Sequence, residues 1–192
     1  MPSEMEEVAA LRSLRDRPFD LLRELDRRAR IAAQGKPEAP ASGAEWVGIA
    51  FQLGGEAYLL ARDETREVMG YPASVTRVPG AKSWVRGLCN LRGQLMPVVD
   101  LRAFLGSGNA TVTRATRVLV ANHREVPAGL LVDGVMGFRR FYESEFSADL
   151  PPTLLRCERY LAGAFRRGAE VWPVFSMRSL LESQPFLQAA AS

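Results

Sequence analysis

Few residues of this chain have the types and spacing that acid–base, nucleophilic or metal chemistry requires. The single histidine, His123, lies in a polar turn, with no second histidine or local cysteine cluster to complete a zinc site. The two cysteines, Cys89 and Cys157, show neither metal-ligand spacing nor a disulfide framework. Asp100 follows an apolar strand pattern, so it is the one carboxylate whose position resembles that of a phosphate acceptor.

An internal repeat gives Asp100 a different interpretation. The stretch 84–106 recurs in degraded form at 160–181, and Asp100 and Ser176 occupy corresponding positions, 76 residues apart. Aspartate and serine share one physical role there, because both accept hydrogen bonds from the first free amides of a helix. We therefore predict two helix N-caps, no catalytic residue, no bound metal and no cofactor, so the protein is not expected to be an enzyme.

The turn at Arg92–Gly93 is the tip of a predicted hairpin in the first copy. It matches Arg167–Gly168 at an offset one residue shorter than the 76 residues that separate the other paired positions. This predicts a shorter hairpin loop in one copy. A long cation at a glycine-containing tip is poorly placed for burial and well placed to meet a carboxylate of another protein. A solvated turn residue is the alternative interpretation of Arg92.

Alternating apolar patterns broken by glycine turns predict the elements that position these residues. Residues 46–60 read as a hairpin around Gly54–Gly55, and residues 117–132 as a similar hairpin. Each copy of the repeat then contains a hairpin, a crossing segment, a second hairpin and a helical turn. This predicts a mostly β fold of two pseudo-symmetric small barrels that pack together as one folding unit.

The first part of the chain is predicted to be separable from this β domain. Residues 5–14 and the segment beginning at Pro18 have helical periodicity, and a stretch rich in glycine, proline and alanine follows at 35–45. The expected boundaries are a helical extension and linker at 1–44, a β domain at 45–192 with subdomains at about 45–108 and 109–182, and a tail at 183–192. Exchange of segments between the two subdomains is left open.

The charge distribution argues against a nucleic-acid partner. The 25 Lys+Arg and 22 Asp+Glu are interspersed, so the net charge of +3 reflects a mixed solvated surface rather than a basic patch. No window approaches the roughly 18 consecutive apolar residues of a membrane helix. With no signal-peptide pattern at the start, we expect a soluble cytoplasmic protein with reduced thiols.

The stretch VPGAKSWVRGLCNLRGQLMPVVDLRAFLG, residues 78–106, resembles the CheW family of chemotaxis coupling proteins. The resemblance extends over residues 46–181 and includes FQLGGEAY at 51–58 and GLLVDGVMG at 129–137. It implies a pair of five-stranded SH3-like barrels, with a short C-terminal helix. Together with the tail FSMRSLLESQPFL, the N-terminal PFDLLRELDRRAR is similar to the branch of the family that serves type IV pili and twitching motility.

The resemblance also implies partners and contact residues. Such proteins are non-catalytic adaptors that join the cytoplasmic tip of a methyl-accepting chemoreceptor to the regulatory domain of a CheA-type histidine kinase. Membrane association would be indirect, through the receptor. The positions that would contact a partner are Arg92, Glu67, Val68, Arg86 and Gly87. The groove between the barrels would receive a receptor helix by apolar contact.

The sequence departs from the family pattern in two places, and one other function stays open. Thr65 stands where an apolar residue is usual, and the second copy lacks the asparagine of NLRG, so no binding role is assigned to the second hairpin turn. The alternative function is a small-β-barrel nucleic-acid-binding module, because such barrels often serve that role. Phosphotransfer to Asp100 would be the least expected outcome.

Overall fold

The computed structural model of the chain describes residues 43–190, and the structural statements below concern these residues. The helical patterns predicted for residues 5–14 and from Pro18 onward lie outside the described residues.

Short strands dominate the described chain, and each repeat copy ends in a short helix. The strands are β1 (Glu45–Leu53), β2 (Glu56–Ala61), β3 (Thr65–Gly70), β4 (Val85–Leu91), β5 (Gln94–Asp100), β6 (Arg117–Ala121), β7 (Gly129–Val132), β8 (Gly134–Tyr142), β9 (Phe146–Ser147), β10 (Leu161–Arg167) and β11 (Glu170–Phe175). The helices are α1 (Leu101–Phe104), α2 (Met177–Leu181) and α3 (Gln184–Leu187). Three single 3₁₀ turns lie at Arg62–Glu64, Glu143–Glu145 and Glu158–Tyr160.

The strands form two sheets, each curled into a small barrel. Barrel 1 has the strand order β3-β6-β7-β5-β4, and barrel 2 has the order β8-β1-β2-β11-β10-β9. In both barrels two antiparallel hairpins meet through a short parallel pairing, β5 with β7 and β2 with β11. This symmetry confirms the predicted pair of SH3-like barrels. Barrel 1 has the expected five strands, whereas the two-residue strand β9 adds a sixth to barrel 2.

The sheets exchange segments across the boundary expected near residue 108. The hairpin β1–β2 from the first copy belongs to barrel 2, and the hairpin β6–β7 from the second copy belongs to barrel 1. The ranges 45–108 and 109–182 therefore do not correspond to the two sheets. One buried cluster contains Phe51 and Tyr58 from barrel 2 together with Val99 and Leu130 from barrel 1, so the barrels share a core.

The hairpin loops correct one detail of the repeat. β4 and β5 close on the pair Leu91↔Gln94, and β10 and β11 close on Arg167↔Glu170, so both loops have two residues. The prediction of a shorter loop in one copy was wrong. Arg92 corresponds to Gly168, whereas Arg167 is a strand residue, because two-residue hairpin loops are fixed by the register of the flanking strands.

The predicted helix caps are confirmed. The Asp100 carboxylate accepts a hydrogen bond from the amide of Ala103 at 3.1 Å, and the Ser176 hydroxyl accepts one from the amide of Ser179 at 3.2 Å. Each cap turns the chain from the last strand of its hairpin into a short helix. Asp100 is fully buried, which is incompatible with transfer of phosphate from another protein.

The remaining chemical candidates are also structural. Cys89 and Cys157 are free and buried, and burial raises the pKa of both thiols, which disfavours the reactive thiolate. His123 accepts hydrogen bonds at Nδ1 from the amides of Glu125 and Val126, which holds the turn after β6. No helix within residues 43–190 is long and apolar enough to cross a membrane.

Candidate functional site

The tip of the β4–β5 hairpin combines exposure with an unusual backbone. Arg92 has φ 52° and is the one non-glycine residue with positive φ among residues 43–190, and Gly93 follows with φ 86°. The turn is held by the Asn90 side chain, whose Oδ1 accepts a hydrogen bond from the amide of Gly93 at 2.8 Å. The corresponding position in the second copy, Gly168 with φ 57°, is a glycine, as this backbone favours.

Arginine in this conformation carries a cost that glycine avoids. Left-handed backbone costs an ordinary residue about 1 kcal/mol or more, because Cβ approaches the following carbonyl oxygen. The side chain of Arg92 is 74% exposed, so burial does not offset that cost. Burial of the side chain therefore does not explain an arginine at this position, and most of its surface is accessible to a partner molecule.

Glu67 on β3 meets the Arg92 side chain across the edge of barrel 1. Arg92 Nη2 donates to Glu67 Oε2 at 2.5 Å, and the Glu67 side chain is 20% exposed. The other carboxylate oxygen, Oε1, is buried without a hydrogen-bond partner. Arg92 therefore satisfies only one of the two carboxylate oxygens. An unsatisfied buried acceptor costs about 1–3 kcal/mol. The pair joins β3 to the β4–β5 turn, at the two open edges of the sheet.

A groove of about 670 Å³ lies beside this pair, between the two barrels. Its apolar wall is formed by Val68 from barrel 1 and by Ile49, Val135 and Phe138 from barrel 2. Phe138 is 61% exposed, an unusual degree for a large aromatic side chain. The polar lining consists of Arg62, Asp63, Thr65, Arg66, Glu67 and Asn122.

Thr65 makes this groove more polar than the family pattern predicts. Its hydroxyl oxygen is buried without a hydrogen-bond partner, as is Glu67 Oε1 two residues along the same strand. Both residues line the groove. Its barrel 1 wall therefore has unmet hydrogen-bonding capacity as well as apolar surface.

The other two sequence-predicted contact residues have structural tasks. Arg86 donates from Nε and Nη2 to Asp100 Oδ2 at 3.1 and 2.6 Å, and from Nη2 to the carbonyl of Ala110 at 2.5 Å. Gly87 has φ 143°, and a Cβ there would lie 2.3 Å from the carbonyl oxygen of Thr76. The guanidinium of Arg86 is thus occupied within the protein, and Gly87 permits a close backbone approach.

A second apolar surface lies on the β4–β5 hairpin itself. Leu95 is 67% exposed and borders a depression of about 540 Å³. The depression is lined by Met69, Pro72, Ala73, Ser74, Thr76, Leu88, Cys89, Asn90 and Leu95. Sequence reasoning did not single out Leu95 or Phe138. For Leu95 the sequence did contain a signal of exposure. In β5, side chains alternate between two faces, and Leu95 lies on the face opposite buried Met96 and Val98.

Comparison with known proteins identifies the family that has this architecture. A CheW-like domain model matches residues 47–185, which is most of the chain. The chain belongs to the CheW family. It is 39% identical to protein PilI of Pseudomonas aeruginosa over 173 residues, which cover 90% of this chain and 96% of that protein. It is also 30% identical to chemotaxis protein CheW of Bacillus subtilis over 100 residues, which cover 52% of this chain and 64% of that protein.

The fold of a solved CheW structure agrees with the two barrels described above. Scaffolding protein TtCheW from Thermoanaerobacter tengcongensis superposes with a TM-score of 0.64 at 24% identity, over 74% of this chain and 96% of that chain. This CheW-family protein is accordingly a scaffold or adaptor, as predicted. The nucleic-acid-binding alternative receives no support from these relatives.

Proposed function

We propose that this CheW-family adaptor uses the groove to hold the helical tip of a methyl-accepting chemoreceptor. The groove next to the Arg92–Glu67 pair is the observation that carries the proposal. It presents an apolar wall from both barrels and a polar rim, which is the surface that an amphipathic helix requires. Phe138 and Val68 are exposed in the described chain, and a docked helix would remove them from water.

An adaptor needs a second surface that remains free when the first is occupied. The depression around Leu95 shares no lining residue with the groove. It lies on barrel 1 beside the hairpin tip, and Leu95 supplies an exposed apolar anchor there. We assign this surface to the regulatory domain of a CheA-type histidine kinase.

Arg92 lies between the groove and the depression around Leu95. Its partner Glu67 lines the groove, and its hairpin carries Leu95. A receptor or kinase group that binds Arg92 would release Glu67, and a donor on a receptor helix would then satisfy that carboxylate. Arg92 therefore couples occupancy of one surface to the other. Arg86 and Gly87 support this contact region by shaping β4.

The pathway we propose is chemosensory control of type IV pili and twitching motility. The similarity to PilI carries this assignment, because it covers nearly the whole of both chains. Contact with the membrane would be indirect, through the bound receptor. The whole protein acts without catalysis, by holding two partners at a defined distance.

Two substitutions test the two surfaces separately. Phe138→Glu should weaken binding of a receptor tip fragment at least tenfold, or about 1.4 kcal/mol, because it places a charge in the apolar wall. Leu95→Glu should weaken binding of the kinase regulatory domain by a similar factor and leave receptor binding intact. Isothermal titration calorimetry of the full-length chain with each fragment measures both. Failure of wild-type protein to bind either fragment would refute the adaptor role.

The role of Arg92 is tested by charge reversal with a matched control. Arg92→Glu should weaken at least one association about tenfold while leaving the thermal midpoint nearly unchanged, since the side chain is 74% exposed. Arg166→Glu makes the same charge change on an exposed strand residue of barrel 2. Equal weakening by both variants would mean that only net charge matters, and a collapse in stability would make Arg92 structural.

A further inference from the structure

The ends of the two barrels next to their helix caps are closed differently. In barrel 1 the space beside β4 and β5 is filled by the Arg86 guanidinium and by Ala110, whose amide donates to Asp100 Oδ2 at 2.8 Å. Ala110 is 6% exposed, so the loop after α1 seals this end. Barrel 1 thus shows which groups fill such a space: an arginine side chain, a small apolar residue and a carboxylate that pairs with the arginine.

Barrel 2 lacks each part of that seal. By the repeat, Ala162 corresponds to Arg86 and Ser176 corresponds to Asp100. The chain after α2 does not return over this end, because it forms α3, where Phe186 packs on Trp84 at a ring-centroid distance of 5.6 Å. The end of barrel 2 next to Ser176 is left open within the described chain.

The opening is a pocket of about 460 Å³ with apolar walls and an acidic rim. Its lining residues are Trp46, Ala61, Glu64, Glu143, Phe146, Ala162, Phe165, Val174, Phe175 and Ser176. Phe165 is buried, with the Trp46 ring 4.6 Å and the Phe146 ring 5.3 Å from it by centroid. Three aromatic side chains thus form one continuous apolar surface.

The charges at the pocket have one sign. Glu64 and Glu143 line it, and no lysine or arginine does. Glu64 is held in position, because its carboxylate accepts hydrogen bonds from the amide of Met177 at 2.6 Å and the hydroxyl of Ser176 at 3.2 Å. The Glu143 side chain is exposed, and its carboxylate has no hydrogen bond or ion pair within residues 43–190, so its charge is available to a ligand.

We propose that this pocket binds an arginine side chain carried by an apolar segment of a partner protein. The stem and the planar guanidinium stack on the aromatic wall, and the charged end pairs with Glu143 beside Glu64. The bound segment supplies from outside what Arg86 and Ala110 supply from within barrel 1. Acidic or phosphorylated segments are rejected by the two carboxylates. The site shares no lining residue with the groove or the Leu95 surface, so it is a third contact point on the adaptor.

The test uses the isotope-labelled full-length chain and a blocked pentapeptide, with a central arginine flanked on each side by alanine and valine. The same peptide with citrulline replacing arginine is the neutral isostere. The indole N–H signal of Trp46, assigned through Trp46→Phe, should shift saturably with the arginine peptide, while the indole signals of Trp84 and Trp172 stay in place. Binding of the citrulline peptide should be at least about fivefold weaker.

Two variants separate this pocket from other binding. Ala162→Arg combined with Ser176→Asp installs the barrel 1 ion pair and should abolish the shift. Glu143→Gln alters an exposed residue without disturbing the fold and should weaken binding about fivefold, whereas Glu125→Gln, outside the pocket, should not. Absence of a saturable shift, equal binding of both peptides, or full affinity in Glu143→Gln would each overturn the proposal.

Discussion

The two barrels share one topology but differ at both the hairpin tip and the capped end. Barrel 1 carries Arg92 in a left-handed backbone at its tip, with one contact to Glu67 and a largely exposed side chain. At the matching place barrel 2 has Gly168. Its neighbour Arg167 is bound by Glu145 through two hydrogen bonds, of 2.6 and 2.8 Å, and lies 4.6 Å from the Phe141 ring centroid.

At the hairpin tips barrel 2 has more internal contacts, whereas at the capped ends barrel 1 has more. Barrel 1 is closed there by Arg86, Asp100 and the loop at Ala110, whereas barrel 2 is open beside Ser176. Each barrel therefore has one end held by internal contacts and one end with accessible charged or aromatic groups. Under the functions proposed above, this reciprocal difference gives one fold contact points at different ends, as an adaptor requires.

The largest expected difference between the barrels is in their caps. Asp100→Ala should lower the free energy of unfolding by about 3 kcal/mol, because it leaves the partly buried Arg86 guanidinium without its counter-charge and frees two amides. Ser176→Ala should cost about 1 kcal/mol, the usual loss for an N-cap. Urea unfolding followed by tryptophan fluorescence measures both.

Arg86→Ala is the control for this interpretation. If the Arg86–Asp100 pair is the source of the difference, the double variant should lose much less than the sum of the two single losses. Equal costs for Asp100→Ala and Ser176→Ala would show that the capping hydrogen bond alone matters. The contrast drawn between the two capped ends would then have no energetic basis.

The repeat made the fold predictable from the sequence, and the caps show why. Asp100 and Ser176 differ chemically but can do only one thing in common at the start of a helix, so their pairing identified both as caps. Segment exchange between barrels could not be deduced, because the hairpin β1–β2 carries the same alternating pattern whichever sheet it joins. Pairing between distant strands is a tertiary property.

The candidate site was predictable in part for a similar reason. Arg92 could be singled out, because exposure at a hairpin tip follows from local turn chemistry. Arg86 was placed among the contact residues, but its ion pair with Asp100 joins β4 to the end of β5 and depends on the folded register. The pocket beside Ser176 arises from where the chain goes after α2, which no local pattern encodes.

The second comparison exchanges the residues at the two hairpin tips. Arg92→Gly should leave the free energy of unfolding within about 1 kcal/mol of wild type, because relief of backbone strain offsets much of the added freedom of the unfolded chain and of the loss of the largely exposed pair with Glu67. Gly168→Arg should lower it by about 1 kcal/mol, since it introduces that strain without a partner like Glu67. Urea unfolding again provides the measurement.

The exchange also separates stability from function. Arg92→Gly should weaken partner binding despite its native stability, which no purely structural residue would do. A loss of more than about 1.5 kcal/mol in Arg92→Gly would show that the guanidinium holds the turn. The two tips would then differ in how they are stabilised rather than in what they bind.

The smallest expected effect concerns the Arg167–Glu145 ion pair at the hairpin tip of barrel 2 and the dependence of its strength on pH. The hydrogen bonds from Arg167 lower the pKa of Glu145 below its ordinary value. A carboxyl group whose pKa is lower in the folded state stabilises the protein above its unfolded pKa of about 4.3, and loses that contribution as the pH falls through the folded value. Glu145→Gln should therefore lower stability by less than about 1 kcal/mol at pH 7, because Arg167 is partly exposed.

That loss should shrink below about pH 4, where wild-type Glu145 also becomes neutral. Urea unfolding of wild type and Glu145→Gln between pH 3 and pH 7, with Arg167→Ala and the double variant, isolates the interaction of the two side chains. An interaction energy that stays constant over this range would show that Arg167 stabilises the hairpin tip by packing on Phe141 rather than by its charge. A decline toward acid would show that barrel 2 holds its tip by the same kind of ion pair that barrel 1 leaves exposed.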